Sequence, residues 1–166
     1  MKKIQYFLII ACALCLVVAC GSNQQSGSDK KVPIHELEDR DGVAYLPKAD
    51  KPFTGCAYAY FTDGKTVYLK SNFVDGKQHG EYVEYFQNGQ INYKYNFKTG
   101  LEDGEWIWYN EKGNTLKKAN YKEGKLHGEW ITWFDNGQIH VKGQYENGEE
   151  VGEWFQWDEA GNPVER

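Results

Sequence analysis

Residues Gly124-Lys125-Leu126-His127-Gly128-Glu129-Trp130-Ile131-Thr132-Trp133-Phe134-Asp135-Asn136-Gly137-Gln138-Ile139 decide the fold. An aromatic and β-branched run, Trp130 to Phe134, stands between two glycine-bearing turns, and Ile139 opens a second run. Such residues fit a pleated surface. Asn-Gly between two such runs signals a hairpin, because both central residues of a type I′ turn need positive φ. The stretch predicts strand, turn, strand.

Working outward, the same pattern recurs. Gly80, Gly104, Gly128 and Gly152 stand 24 residues apart, with Gly55 another 25 before them. Gly89, Gly113, Gly137 and Gly161 keep the same interval, with Gly64 again 25 before, and Gly76, Gly100, Gly124 and Gly148 are 24 apart. Three interleaved registers of one period predict a stacked repeat architecture. The one extra residue falls in the first copy, between Gly64 and Gly76. After the first glycine of each unit comes Glu81, Glu105, Glu129 or Glu153, then Tyr82, Trp106, Trp130 or Trp154. No segment has helical periodicity with caps. The expected fold is all-β: an elongated single antiparallel sheet of about four and a half 24-residue β-hairpin repeats over residues 51–166, roughly ten strands.

The segment from Gly124 to Ile139 resembles the MORN-variant repeats of bacteria, and Lys51-Pro52-Phe53-Thr54-Gly55 is similar to the usual start of such arrays. The resemblance covers residues 51–166. It implies a non-enzymatic binding array with no shared catalytic residues. It also carries an antitoxin-component label, and related MORN repeats are linked to phospholipid headgroups.

The front of the chain has a different character. Met1-Lys2-Lys3 precedes an apolar run from Ile4 to Ala19, broken by Gln5. A basic head and a short apolar stretch form a secretory signal pattern, and about sixteen residues fall short of the roughly twenty that span a bilayer. Val17-Val18-Ala19-Cys20-Gly21 resembles the lipobox of bacterial lipoproteins. That resemblance implies cleavage before Cys20, a diacylglycerol thioether on Cys20 and acylation of its amino group. Two or more chains give stable attachment. Gly21 and Ser22 after the cysteine favour the outer membrane by the same resemblance. The expected organisation is a signal peptide over 1–19, a lipidated tether over 20–31, a capping segment over 32–50 and the array over 51–166. Gly42 to Leu46 is expected to form a strand covering the first repeat. Cys12 and Cys15 leave with the signal and Cys20 carries lipid, so Cys56 alone remains and no internal disulfide forms.

A two-residue loop at Asn88-Gly89 would pair Phe86 with Ile91, Glu84 with Tyr93 and Tyr82 with Tyr95. Paired residues share a face and faces alternate along a strand. One face then holds Tyr82, Glu84, Phe86, Ile91, Tyr93, Tyr95 and Phe97, and is the packing face. The other is polar with an apolar stripe of Val83, Tyr85, Ile107, Tyr109, Ile131, Trp133, Phe155 and Trp157, the candidate binding surface. Burial of this stripe by a curling sheet is the competing expectation. Pro163 falls where Ile91, Thr115 and Ile139 stand in earlier units, and blunts the last strand.

Catalysis and cofactors are not expected. His79 and His127 sit two units apart, about 19 Å, too far to share a metal. The Glu81, Glu105, Glu129, Glu153 ladder repeats with the fold, at about 9.5 Å per step. The chain carries 19 basic and 24 acidic residues, and loss of Lys2 and Lys3 with the signal leaves 17 against 24. Phosphate backbones repel such a surface, so nucleic acid is excluded as a partner. The expected function is a protein-interaction scaffold, held to the bacterial cell envelope by lipid on Cys20. An immunity or antitoxin role against an envelope toxin is one alternative. Binding of an envelope glycan such as peptidoglycan through the aromatic stripe is another.

Overall fold

The computed structural model describes residues 30–165. The signal segment, Cys20 and nearly all of the tether lie outside them. The described strands are β1 (Lys31–Pro33), β2 (Glu38–Arg40), β3 (Val43–Tyr45), β4 (Gly55–Tyr60), β5 (Val67–Val74), β6 (Lys77–Tyr85) and β7 (Ile91–Lys98). They continue with β8 (Leu101–Glu102), β9 (Gly104–Tyr109), β10 (Thr115–Lys122), β11 (Lys125–Trp133), β12 (Ile139–Glu146), β13 (Glu149–Trp157) and β14 (Pro163–Val164). Twelve of them form one sheet in the order β1-β4-β5-β6-β7-β9-β10-β11-β12-β13-β14, with β8 attached to β7. Every pairing in it is antiparallel except β1 with β4.

The lead-in departs from expectation. Gly42 to Leu46 contains the expected strand, β3, but it is β1 that pairs with the edge of the first repeat. Residues Val43–Tyr45 pair with β2 in a separate two-stranded sheet. That small hairpin still docks on the array, since Ala44 N–H donates to the Gly76 carbonyl at 2.8 Å and Phe53 N–H to the Ala44 carbonyl at 2.8 Å. Val32, Phe53 and Ala57 form the apolar cluster beneath it.

The turns at Asn88-Gly89 and Asn136-Gly137 are not type I′. Among their central residues only the glycines have positive φ, such as Gly89 at 85°. Phe86 N–H donates to the Gln90 carbonyl at 2.8 Å and Gly89 N–H to the Phe86 carbonyl at 2.9 Å. The loop therefore has three residues, a turn followed by a left-handed glycine. Asparagine is there for its side chain: Asn88 Oδ1 accepts from Gln90 N–H at 3.0 Å, and Asn136 Oδ1 from Gln138 N–H at 2.9 Å. Such short side chains mimic a backbone turn. Where Lys112 and Ala160 occupy that place, Asn110 and Asp158 two residues earlier take over, accepting from Lys112 N–H and Ala160 N–H at 3.0 Å each.

A three-residue loop shifts the pairing by one, so Tyr85 faces Ile91 and Trp133 faces Ile139. A bulge one step further restores the count, and Glu84 faces Tyr93 and Tyr82 faces Tyr95 as expected. Ile91 and Ile139 consequently leave the packing face and join the stripe's aromatics.

The true I′ turns connect one unit to the next. Asp75-Gly76, Thr99-Gly100, Glu123-Gly124 and Asn147-Gly148 have positive φ at both residues. Each glycine N–H then reaches back one unit. Gly100 donates to the Gln78 carbonyl, Gly124 to Glu102 and Gly148 to Leu126, at 2.8 to 2.9 Å. Thr99 at φ 52° is a β-branched residue in left-handed backbone, which is a genuine outlier. Replacing it with glycine is expected to raise unfolding free energy by about 1 kcal/mol, read from chemical denaturation. A loss of stability would show that the Thr99 side chain matters more than its backbone strain.

Packing is lateral. Apart from the lead-in hairpin at the first repeat, no second layer of described residues covers the sheet, and the rings of the first face cover one another. Trp106 lies 4.1 Å from Tyr95 and 4.4 Å from Tyr121, centroid to centroid. Ala57 and Ala119, small residues beneath such rings, are 0 % exposed.

Candidate functional site

The second face is built in two columns. The inner one alternates aliphatic and lysine across the strands: Val83 pairs with Lys70 and Lys94, Ile107 with Lys94 and Lys118, and Ile131 with Lys118 and Lys142. Lysine stems cover apolar neighbours while their amines reach outward. Lys94, Lys118 and Lys142 each meet the glutamate of the ladder, Glu81, Glu105 and Glu129, at 2.6, 2.8 and 2.9 Å. The Glu81 carboxylate holds the Lys94 amine above its ordinary pKa. Flanked on both sides, Val83, Ile107 and Ile131 are only 4, 8 and 8 % exposed, whereas Phe155 is 48 % exposed. This half of the stripe is interior, and the ladder fixes the fold. Asparagines complete it: Asn72, Asn96 and Asn120 donate through Nδ2 to the carbonyls of Glu81, Glu105 and Glu129, at 2.9 to 3.2 Å. These bonds bridge the break in register that follows each inter-unit turn.

The outer column is aromatic and open. Tyr85, Tyr109, Trp133 and Trp157 are half-buried, and each stands at the end of its strand beside the three-residue loop. Counting back 25 residues from Val83 and Tyr85 adds Tyr58 and Tyr60, which the sequence reading missed. The extended ruler would have found them. Tyr60 is 46 % exposed and pairs with Val67. Between the rings stand smaller partners: Ile91 opposite Tyr85, Thr115 opposite Tyr109, Ile139 opposite Trp133 and Pro163 opposite Trp157.

The two faces use their rings differently. On the packing face Trp106 alone meets Tyr95, Phe97, Trp108 and Tyr121. Tyr82 and Tyr95 stack there, and burial, reinforced at Tyr82 by its hydrogen bond to Glu84 at 2.6 Å, raises both phenol pKa values. Lys117 lies between Trp108 and Trp130, 4.4 and 3.7 Å from their centroids, and burial pulls its amine pKa down. On the second face Tyr109 and Trp133 stack on no other ring among the described residues, and Tyr85 meets only the Lys70 amine, at 5.3 Å. One set of rings forms the core. In the other, Trp157 stacks on Phe155 with centroids 6.0 Å apart and Tyr60 meets Tyr58 at 5.2 Å, whereas the middle rings have no such neighbour among the described residues.

No group of three or more His, Cys, Asp or Glu among the described residues could hold a metal ion. Cys56 occupies the place that glutamate holds in later units, and is buried beside β1.

Residues 78–99, 102–123 and 126–147 match the MORN repeat variant. The matched segments begin in β6 and run to the turn after β12, so each matched unit holds one three-residue loop and ends at one I′ turn. The hairpins of β4–β5 and β13–β14 lie outside the matched segments; the second repeats the same plan, and the first does so with a loop one residue longer, closed by Phe61 N–H on the Thr66 carbonyl. MORN repeats are in general non-catalytic scaffolds that bind proteins or membranes. No curated protein matches the chain.

Proposed function

We propose that this chain is a non-enzymatic scaffold tethered to a membrane of the bacterial envelope, and that it binds a protein through the outer aromatic column. The observation that carries this is the isolation of the rings. Tyr109 and Trp133 stack on no other ring among the described residues, although Trp157 at the end of the column stacks on Phe155, and the face they share matches Lys94, Lys118 and Lys142 to glutamates. Aromatic residues ringed by energetically quiet neighbours are the usual anchors of protein interfaces. The tether rests on the lipobox-like residues before Gly21.

Both halves are tested in cells by cross-linking the membrane-bound protein and comparing Tyr109→Ala/Trp133→Ala with the parent. Loss of one discrete cross-linked species supports the scaffold. Unchanged cross-linking in the variant removes the column from the interface. Retention of Cys20→Ser in the membrane fraction, without incorporated fatty acid in the parent, removes the anchor.

A glycan is the second ligand class that isolated, evenly spaced rings favour. Retention on insoluble cell wall that disappears in the same double variant would point to it.

A further inference from the structure

We infer that the outer column is a docking track for a proline-rich segment in the polyproline II conformation, flanked by a basic residue. This rests on the protein-binding function proposed above and names the chemistry of the partner.

Spacing makes the first case. Successive rings of the column, Tyr85, Tyr109 and Trp133, belong to β6, β9 and β11, which are separated in each case by one intervening strand. Neighbouring strands lie about 4.7–4.9 Å apart, so the rings recur about every 9.4–9.8 Å. A surface that repeats by translation recognises best a ligand that repeats by the same step. Polyproline II has three residues per turn and rises about 3.1 Å per residue, a repeat of about 9.3 Å. An added β-strand presents one face every about 6.6–6.8 Å. An α-helix returns to the same face after seven residues, about 10.5 Å. Over two steps the proline helix drifts from the rings by no more than about 1 Å, the α-helix by about 1.4–2.2 Å and the strand by more than 5 Å.

Relief makes the second. Along the column the rings alternate with the smaller Ile91, Thr115 and Ile139. Ridges of aromatic rings with valleys between them are the surface that preformed proline helices dock on, at low entropic cost. The valleys accept pyrrolidine rings, and the ring edges of Tyr109 and Trp133 supply hydroxyl and indole N–H donors for the carbonyls, which polyproline II leaves solvated.

Charge makes the third. The loops bordering the column carry Asp63, Glu111, Asp135, Asp158 and Glu159 against Lys65 and Lys112. Hydrogen bonds within their turns hold Asp63 and Asp158 below the ordinary carboxylate pKa, so both are ionised at neutral pH. An acidic rim beside an aromatic row favours a cation next to the prolines. It disfavours single-stranded nucleic acid, the other polymer that stacks on rings.

The test is binding of a fluorescent decaproline with two arginines at one end, about 31 Å of proline helix, to the complete protein, read by anisotropy. Two further probes are a peptide with prolines at every third position and one of equal proline content with prolines at every second. Specific binding of decaproline, at least tenfold tighter binding of the every-third peptide than the every-second one, and at least tenfold loss in Tyr109→Ala or Trp133→Leu with unchanged melting temperature are expected. Equal affinity for both spacings overturns the proposal, as does binding that ignores both substitutions. Binding of an N-acetylglucosamine hexamer in place of the peptides overturns it too and assigns the column to glycan. If no proline peptide binds while the cross-linked partner is still lost in the double variant, the ligand class is wrong and the scaffold stands. If the partner is retained as well, both fall.

Discussion

Trp106→Ala is expected to cost about 3–4 kcal/mol, the range for removing a large aromatic from a packed position, and to split one unfolding transition into two. Trp106 is the ring on which adjacent units meet. It contacts Tyr95 at 4.1 Å and Phe97 at 6.0 Å on one side, and Tyr121 at 4.4 Å on the other. In a stacked array stability is a sum of unit terms and nearest-neighbour interfaces. Deleting the central interface therefore weakens the coupling between β4–β7 and β10–β13. Urea denaturation followed by circular dichroism and by tryptophan fluorescence should then give non-coincident curves. A single coincident transition displaced by less than about 1 kcal/mol would mean that backbone pairing, not ring packing, couples the units.

Gly143→Ala is expected to destabilise the last unit by about 1–3 kcal/mol, the cost of overpacking. A Cβ at Gly143 would collide with Cδ2, Cε2 and Cε3 of the Trp154 indole. The equivalent positions in other units are Ser71, Tyr95 and Ala119, so the fold does not demand glycine here. The demand comes from Trp154, whose indole lies flat across the strand. The substitution should therefore be much less harmful in a Trp154→Leu background, and the double-mutant cycle measures the coupling. Equal losses in both backgrounds would place the cause in the backbone of β12 instead.

Much of this architecture is legible in the residues, and the illegible parts share a cause. The glycine ruler reveals units, strands and period because each register marks a distinct turn. It does not reveal which turn is which. Asn88-Gly89 looks like the I′ hairpin, yet Asn88 is chosen for its hydrogen bond to Gln90 N–H, while Thr99 and Glu123, poor candidates by composition, take the left-handed positions. Face assignment of Tyr82 and Tyr95 survives this because loop and bulge shift the register in opposite senses; Ile91 and Ile139, lying between the two, change sides. The stripe is visible as a pattern, but its division is not. Only the pairing of Val83, Ile107 and Ile131 with lysines on both sides makes them interior. Tyr58 and Tyr60 belong to the first copy, where the extra residue sets the ruler off by one.

The bond from each inter-unit glycine to a carbonyl of the preceding unit has a consequence for the size of the molecule. Every junction is the same junction, so no internal feature tells the chain how long to be. In-frame duplication or loss of one unit would lengthen or shorten the sheet by about 9.5 Å and leave every remaining joint intact. Reach and valency can thus change together by copying, without the invention of a new core.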